Sequence, residues 1–200
     1  MNVSQDRAAR DAARLVAEGR ASSIEAALSS LSAGRELAAA ARRHLDAMDL
    51  SRLGDSGVDD VRRDMLEAAL AVMETIDLME SRLADAGTPY RGVRLMGDAA
   101  KGRPHLRGRI HLRVHGDRTT EAWADELALL EPQASRTFTS ATRYGRLSGL
   151  EVTLEGTVVR IHRCPVDQVP LDAGHLFDGS RIRSADLPTV RRLVDATGTS

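Results

Sequence analysis

The feature that most constrains this chain is a change of hydrophobic period at Gly87-Thr88-Pro89. Before it, apolar residues recur every three or four positions; after it, they recur at every second position. The first spacing keeps one side of an α-helix apolar, the second one side of a β-strand. Proline has no amide donor and cannot resume a helix, while glycine suits the left-handed residue that closes one. The expected fold class is therefore α+β, with a helical bundle over residues 1–88 and a mixed sheet with flanking helices over 89–200. At 200 residues and 42 % hydrophobic side chains, the chain can bury a core without covalent staples.

In the first half, Ser4 to Glu18 is rich in Ala and Arg and free of breakers, which predicts a helix capped by Ser4 or Asp6 and ended by Gly19. Ser22 and Glu25 have the spacing of a capping box and open a second helix to about Leu31. Arg35 to Met48 reads as a third helix and Ser51 to Gly57 as a polar turn. Val58 to Ala86 is the longest periodic stretch, with Val61, Met65, Leu66, Ala69, Val72, Met73, Ile76, Met79 and Leu83 on one stripe. Its methionines are read as flexible core filling rather than as a docking groove.

In the second half, Arg91 to Met96 reads as a strand and Gly97 to Arg107 as a loop or short helix. Arg109 to His115 alternates cleanly: Ile110, Leu112 and Val114 face one way, Arg109, His111, Arg113 and His115 the other. Thr119 caps a helix through Leu130. Ser135 to Ser140 is expected as a strand with Phe138 inward, and Leu150–Leu154 with Thr157–Arg163 as a hairpin around Glu155-Gly156. Pro165 to Arg183 is irregular, and Ser184 opens a last helix carrying Leu187, Val190, Leu193 and Val194.

Net charge is −1 overall, which argues against wholesale nucleic-acid binding. The average hides an asymmetry: 11 basic and 16 acidic residues precede Pro89, and 17 basic and 13 acidic follow. Aromatics are only 2 %, too few for a stacking platform that holds single strands. Cys164 is the sole cysteine, which fits a reducing compartment. No apolar run is long enough to span a membrane, and the opening residues lack a signal-peptide core, so a cytoplasmic protein is expected.

Three segments carry the functional signal. Leu95-Met96-Gly97-Asp98 ends the first strand, ten residues separate Asp98 from Arg109, and Gly108-Arg109-Ile110-His111-Leu112 begins the second. Val159-Arg160-Ile161 lies on a later strand. This layout resembles the nucleotidyltransferase fold of the DNA polymerase β superfamily. Active members place an apolar-Gly-Ser motif, an Asp-x-Asp and a third carboxylate at these points to hold two metals against nucleotide phosphates. The stretch from Tyr90 to Ala196, with its closing Arg181-Ile182-Arg183-Ser184-Ala185-Asp186-Leu187, is also similar to uncharacterised bacterial members with a helical N-terminal extension. Here Arg109, His111 and Arg160 stand in the carboxylate positions and reverse the sign of the site. The resemblance thus implies a degenerate member: no catalytic residue and no metal site, with Gly97, Asp98, Arg109, His111 and Arg160 lining a remnant anion pocket. Arginine matches phosphate oxygens in fork geometry. A nucleotide or phosphate-bearing ligand is the implied partner and no cofactor is expected.

Other readings remain at this level. The N-terminal helices are a candidate protein-docking or homodimer surface. The basic strand face is either a phosphate or RNA surface, or a solvated or packed sheet face. An active nucleotidyltransferase with Mg²⁺ would need relocated acids, for which Asp98, Asp117 and Glu155 are the candidates. His111 and His115 lie about 13 Å apart on one strand, too far for one tetrahedral metal. Gly97 to Gly102 lacks the pattern of a phosphate-binding loop. Cys164 has only His162 as a neighbouring base, and the pairs Asp59-Asp60 and Asp125-Glu126 read as solvated helix faces.

Overall fold

The structure, a computed structural model, describes residues 2–84 and 87–197. It is α+β: helices first, then a six-stranded mixed sheet with flanking helices. Two compact units divide between Asp59 and Asp60. The boundary falls inside the long third helix rather than at Pro89, because the stripe from Met65 to Met79 is part of the core beneath the sheet.

The first unit holds α1 (Val3–Ala17), α2 (Ile24–Ser30), a short turn of tighter helix at Arg35–Leu37 and the start of α3 (Ala38–Ala84). Asn2, rather than Ser4 or Asp6, caps α1: its side chain accepts from the Gln5 amide, and Gln5 returns the bond. Ser23, rather than Ser22, caps α2. Small residues dominate its core, among them Ala9, Ala12, Ala13, Ala27 and Ala41, so the backbones approach closely around Leu28 and Leu45. The polar turn expected at Ser51–Gly57 shrinks to a single break in α3 at Gly54, with φ 72° and ψ 172°. That conformation is open to glycine and strained for other residues. The Ser and Asp residues around it are simply the solvated face of helix. The expected helical residues Asp85 and Ala86 lie outside the described residues.

In the second unit the strands are β1 (Tyr90–Met96), β2 (Ile110–Gly116), β3 (Ala134–Thr142), β4 (Gly145–Leu154), β5 (Thr157–Cys164) and β6 (Ser184–Asp186). They lie in the order β3-β4-β5-β2-β1-β6. β2 and β5 run parallel at the centre, and every other neighbouring pair is antiparallel. α4 (Thr120–Leu127), capped by Thr119 as expected, belongs to the crossover between the two parallel strands. β6 and the β3–β4 hairpin go beyond the sequence expectation: β6 precedes α5 (Leu187–Thr197), where one helix from Ser184 was expected.

One face of the sheet is the main core. Leu95, Ile110, Leu112, Val114, Val159 and Ile161 meet Leu66, Val72, Met73 and Ile76 of α3, Trp123 and Leu127 of α4, and Val190 of α5. Each such fully buried aliphatic contributes about 1.5–3 kcal/mol through loss of water contact. Trp123 Nε1 donates to Glu80 Oε1 at 2.7 Å inside this layer. Burial drives the Glu80 carboxyl above its ordinary range despite that bond.

Candidate functional site

The other face carries the chemistry. Strand alternation and register lay its residues in rungs that cross the sheet. In one rung His111 of β2 lies opposite Arg160 of β5, Arg160 opposite Glu151 of β4, and Glu151 opposite Arg136 of β3. In the next, Arg113 lies opposite His162, His162 opposite Gly149, and Gly149 opposite Phe138.

Glu151 organises the first rung. It is 7 % exposed and accepts from Arg136 Nε at 2.9 Å. Arg109 Nε stands 3.3 Å and Arg160 Nη1 3.8 Å from its other oxygen. Three guanidiniums against one carboxylate leave the cluster with surplus positive charge. Arg160 is held from below as well, its guanidinium carbon 3.9 Å from the centroid of the Phe138 ring. Phe138, expected to point into the core, therefore faces the site. It lies over Gly149, where a Cβ would collide with the ring and with the Ile161 carbonyl. Glycine is what lets the ring down onto the strand.

Arg113 and His162 of the second rung border a cavity of about 120 Å³. Its lining includes Met96 and Gly97 from the end of β1, His111, Leu112 and Arg113 from β2, His162 from β5, and His175, Leu176, Phe177 and Ile182 from the irregular segment after β5. That segment covers part of the basic face. Arg113 pins it, donating to the Ala173 carbonyl at 2.7 Å and the Gly174 carbonyl at 2.8 Å. Val169, Ala173 and Leu176 complete a small apolar cluster with Leu147 and Cys164.

Crowding sets the protonation of the imidazoles. Burial, then His111 and Arg160, lower His162 to about 3. Burial, then Arg160 and Arg109, lower His111 to about 4. The outer edge of His111 faces solvent and regains some hydration, so His162, at 4 % exposure, is the more firmly neutral of the two. Their rings are stacked with centroids 6.5 Å apart. His162 also meets the Phe138 ring edge-on at 5.0 Å, and its Nε2 lies 3.5 Å from Ser140 Oγ. Cys164 is fully buried, and burial pushes its thiol up to about 12, which makes it a poor nucleophile.

Of the residues singled out by sequence, the structure brings Gly97 and His111 to the cavity and Arg109 and Arg160 to Glu151. Asp98 stands apart from both. It pairs with Lys101 at 2.8 Å and His105 at 3.6 Å, and the Lys101 hydrogen bond holds its carboxyl below the usual range. Asp117 accepts from the Val166 amide, and Glu155 occupies the β4–β5 turn. Among the described residues no group of three or more His, Cys, Asp and Glu is placed to hold a metal. No helix of the described residues is long and apolar enough to cross a membrane. Sequence reasoning passed over Glu151 and Arg136, and placed Phe138 on the wrong face. An acid flanked directly by Leu150 and Val152 was the available signal. Compared with known proteins, the chain matches no protein family, no curated protein and no solved structure.

Proposed function

We propose that the second unit is a catalytically degenerate nucleotidyltransferase-like module that binds an anionic, phosphate-bearing ligand instead of transferring nucleotides. The observation that carries this reading is the cluster of Arg109, Arg136 and Arg160 around the single carboxylate of Glu151. Its unbalanced charge is reachable from solvent through the Arg109 and Arg136 side chains, 49 % and 68 % exposed, and guanidinium forks suit phosphate oxygens. The strand arrangement supports the resemblance: β1 antiparallel to β2, β2 parallel to β5, and His111 directly opposite Arg160. The adjoining cavity is too small to enclose a nucleotide, since sites for ligands of that size span roughly 300–1,000 Å³. Phosphate groups would therefore lie along the arginines at the surface, with at most a small part of the ligand entering the cavity.

A thermal-shift panel with inorganic phosphate, ATP, CTP, GTP and UTP, each with Mg²⁺ and with EDTA, tests this. Stabilisation that survives EDTA and weakens in Arg109→Ala and Arg160→Ala is the expected result. Stabilisation that requires Mg²⁺ would return the metal-dependent enzyme to consideration. No response to any of them would sink the phosphate reading and favour a protein-docking role for the N-terminal helices.

A further inference from the structure

The cavity contains a charge that the arginine cluster does not account for. Arg113 lines it at 3 % exposure. Its described partners are two neutral carbonyls, and no carboxylate among the described residues pairs with it. A buried guanidinium with hydrogen bonds but no counter-charge lacks the compensation that an anion beside it would supply. The rest of the wall is of another kind: Leu176, Phe177 and Ile182 are apolar. His111 and His162 add hydrogen-bonding capacity, and burial keeps His162 uncharged. The volume of about 120 Å³ is close to the roughly 150 Å³ of a dry cavity that accepts one benzene ring.

We propose that this cavity binds a small monocarboxylate with one compact apolar body, a single ring or a short branched chain. The carboxylate is drawn by Arg113, and the body rests against Phe177, Leu176 and Ile182. The proposal rests on reading this sheet face as an anion site, but it uses a different cation from the phosphate subsite at Glu151. The apolar wall of Leu176, Phe177 and Ile182 disfavours a second charged group, which would lose hydration there without a partner, and the missing counter-charge at Arg113 favours an acid over a neutral ring.

Isothermal titration with benzoate and with benzyl alcohol, both before and after saturation with phosphate, tests it. Benzoate should bind, and the alcohol should bind at least about tenfold more weakly, the effect of losing one charge-assisted interaction. Ile182→Trp, which fills the cavity, should abolish benzoate binding while circular dichroism shows a folded chain. Arg113→Met should erase the preference for the acid. If that variant fails to fold, the acid–alcohol comparison and Ile182→Trp decide alone. Equal binding of acid and alcohol, absence of benzoate binding, or benzoate binding unchanged in Ile182→Trp would each overturn the proposal. A benzoate-silent protein that still responds to phosphate refutes this inference only. The reverse pattern refutes the phosphate reading only.

Discussion

Replacing Glu151 with Gln removes the one negative charge among three guanidiniums while keeping the side-chain shape. Glu151 is 7 % exposed, and removing one partner of a buried ion pair typically costs about 3–5 kcal/mol. That figure needs discounting here. The Arg109 and Arg136 side chains are 49 % and 68 % exposed, so both can swing towards water once the carboxylate is gone. Arg160, stacked on Phe138, cannot move as freely. The expected loss is therefore about 2 kcal/mol, or about 4–8 °C in Tm for a unit of this size. Differential scanning calorimetry at low salt measures it, and the gap from wild type should narrow at about 1 M salt, where like-charge repulsion is screened. Ligand response should move the other way. With its internal competitor neutralised, the cluster should bind phosphate more tightly, so Glu151→Gln should gain more Tm from phosphate than wild type does. A variant as stable as wild type, or one with a smaller phosphate response, would refute the argument that Glu151 both holds the arginines and competes for them.

Three further outcomes are expected. His115 and His162 fold with pKa values of about 4 and about 3, below the ordinary 6.5, so the unfolded chain binds more protons between those values. Stability should be full above about pH 6.5 and fall as pH drops, by about 2 kcal/mol per buried imidazole at pH 5; urea titrations at pH 7 and pH 5 read it, and His162→Phe should flatten the slope. Gly149→Ala should cost about 1–3 kcal/mol, since the added carbon meets both the Phe138 ring and the Ile161 carbonyl, and it should weaken phosphate binding by lifting the ring from beneath Arg160. Cys164, buried with its thiol pushed up to about 12, should resist a disulfide reagent under native conditions and react only on the timescale of unfolding.

The α+β division and the basic face of β2 were legible because a half-buried strand must alternate. Ile110, Leu112 and Val114 could not face the core without turning His111, Arg113 and His115 away from it. The same rule misled at Phe138, where a large ring suggested the core, but a cation above and a glycine beneath give it a place on the opposite face. Short β6 escaped notice because three residues carry no period, and its pairing with β1 is decided nearly a whole unit away in sequence. The cavity was invisible for a related reason. Its outer wall comes from the irregular segment around His175–Phe177, where no spacing rule applies. Arg113 looked like any other basic residue of the exposed set until its carbonyl partners were known.

The central parallel pair has a consequence for how the sheet assembles. β3, β4 and β5 are joined by short turns and can zip as a meander of local contacts. β2 meets β5 only after α4, β3 and β4 have been placed between them, and β1 meets β6 across the longest separation of all, as at Arg94 and Asp186. Contacts that close long loops form late, because the chain entropy must be given up before they add stability. The meander is thus the expected nucleus, and the β1–β6 seam the last to lock. In native-state hydrogen exchange the seam should open in a smaller unit than the β4–β5 ladder. Gly97, whose amide bonds the Arg183 carbonyl beside that seam, would then sit at the edge of the protein's own breathing motion.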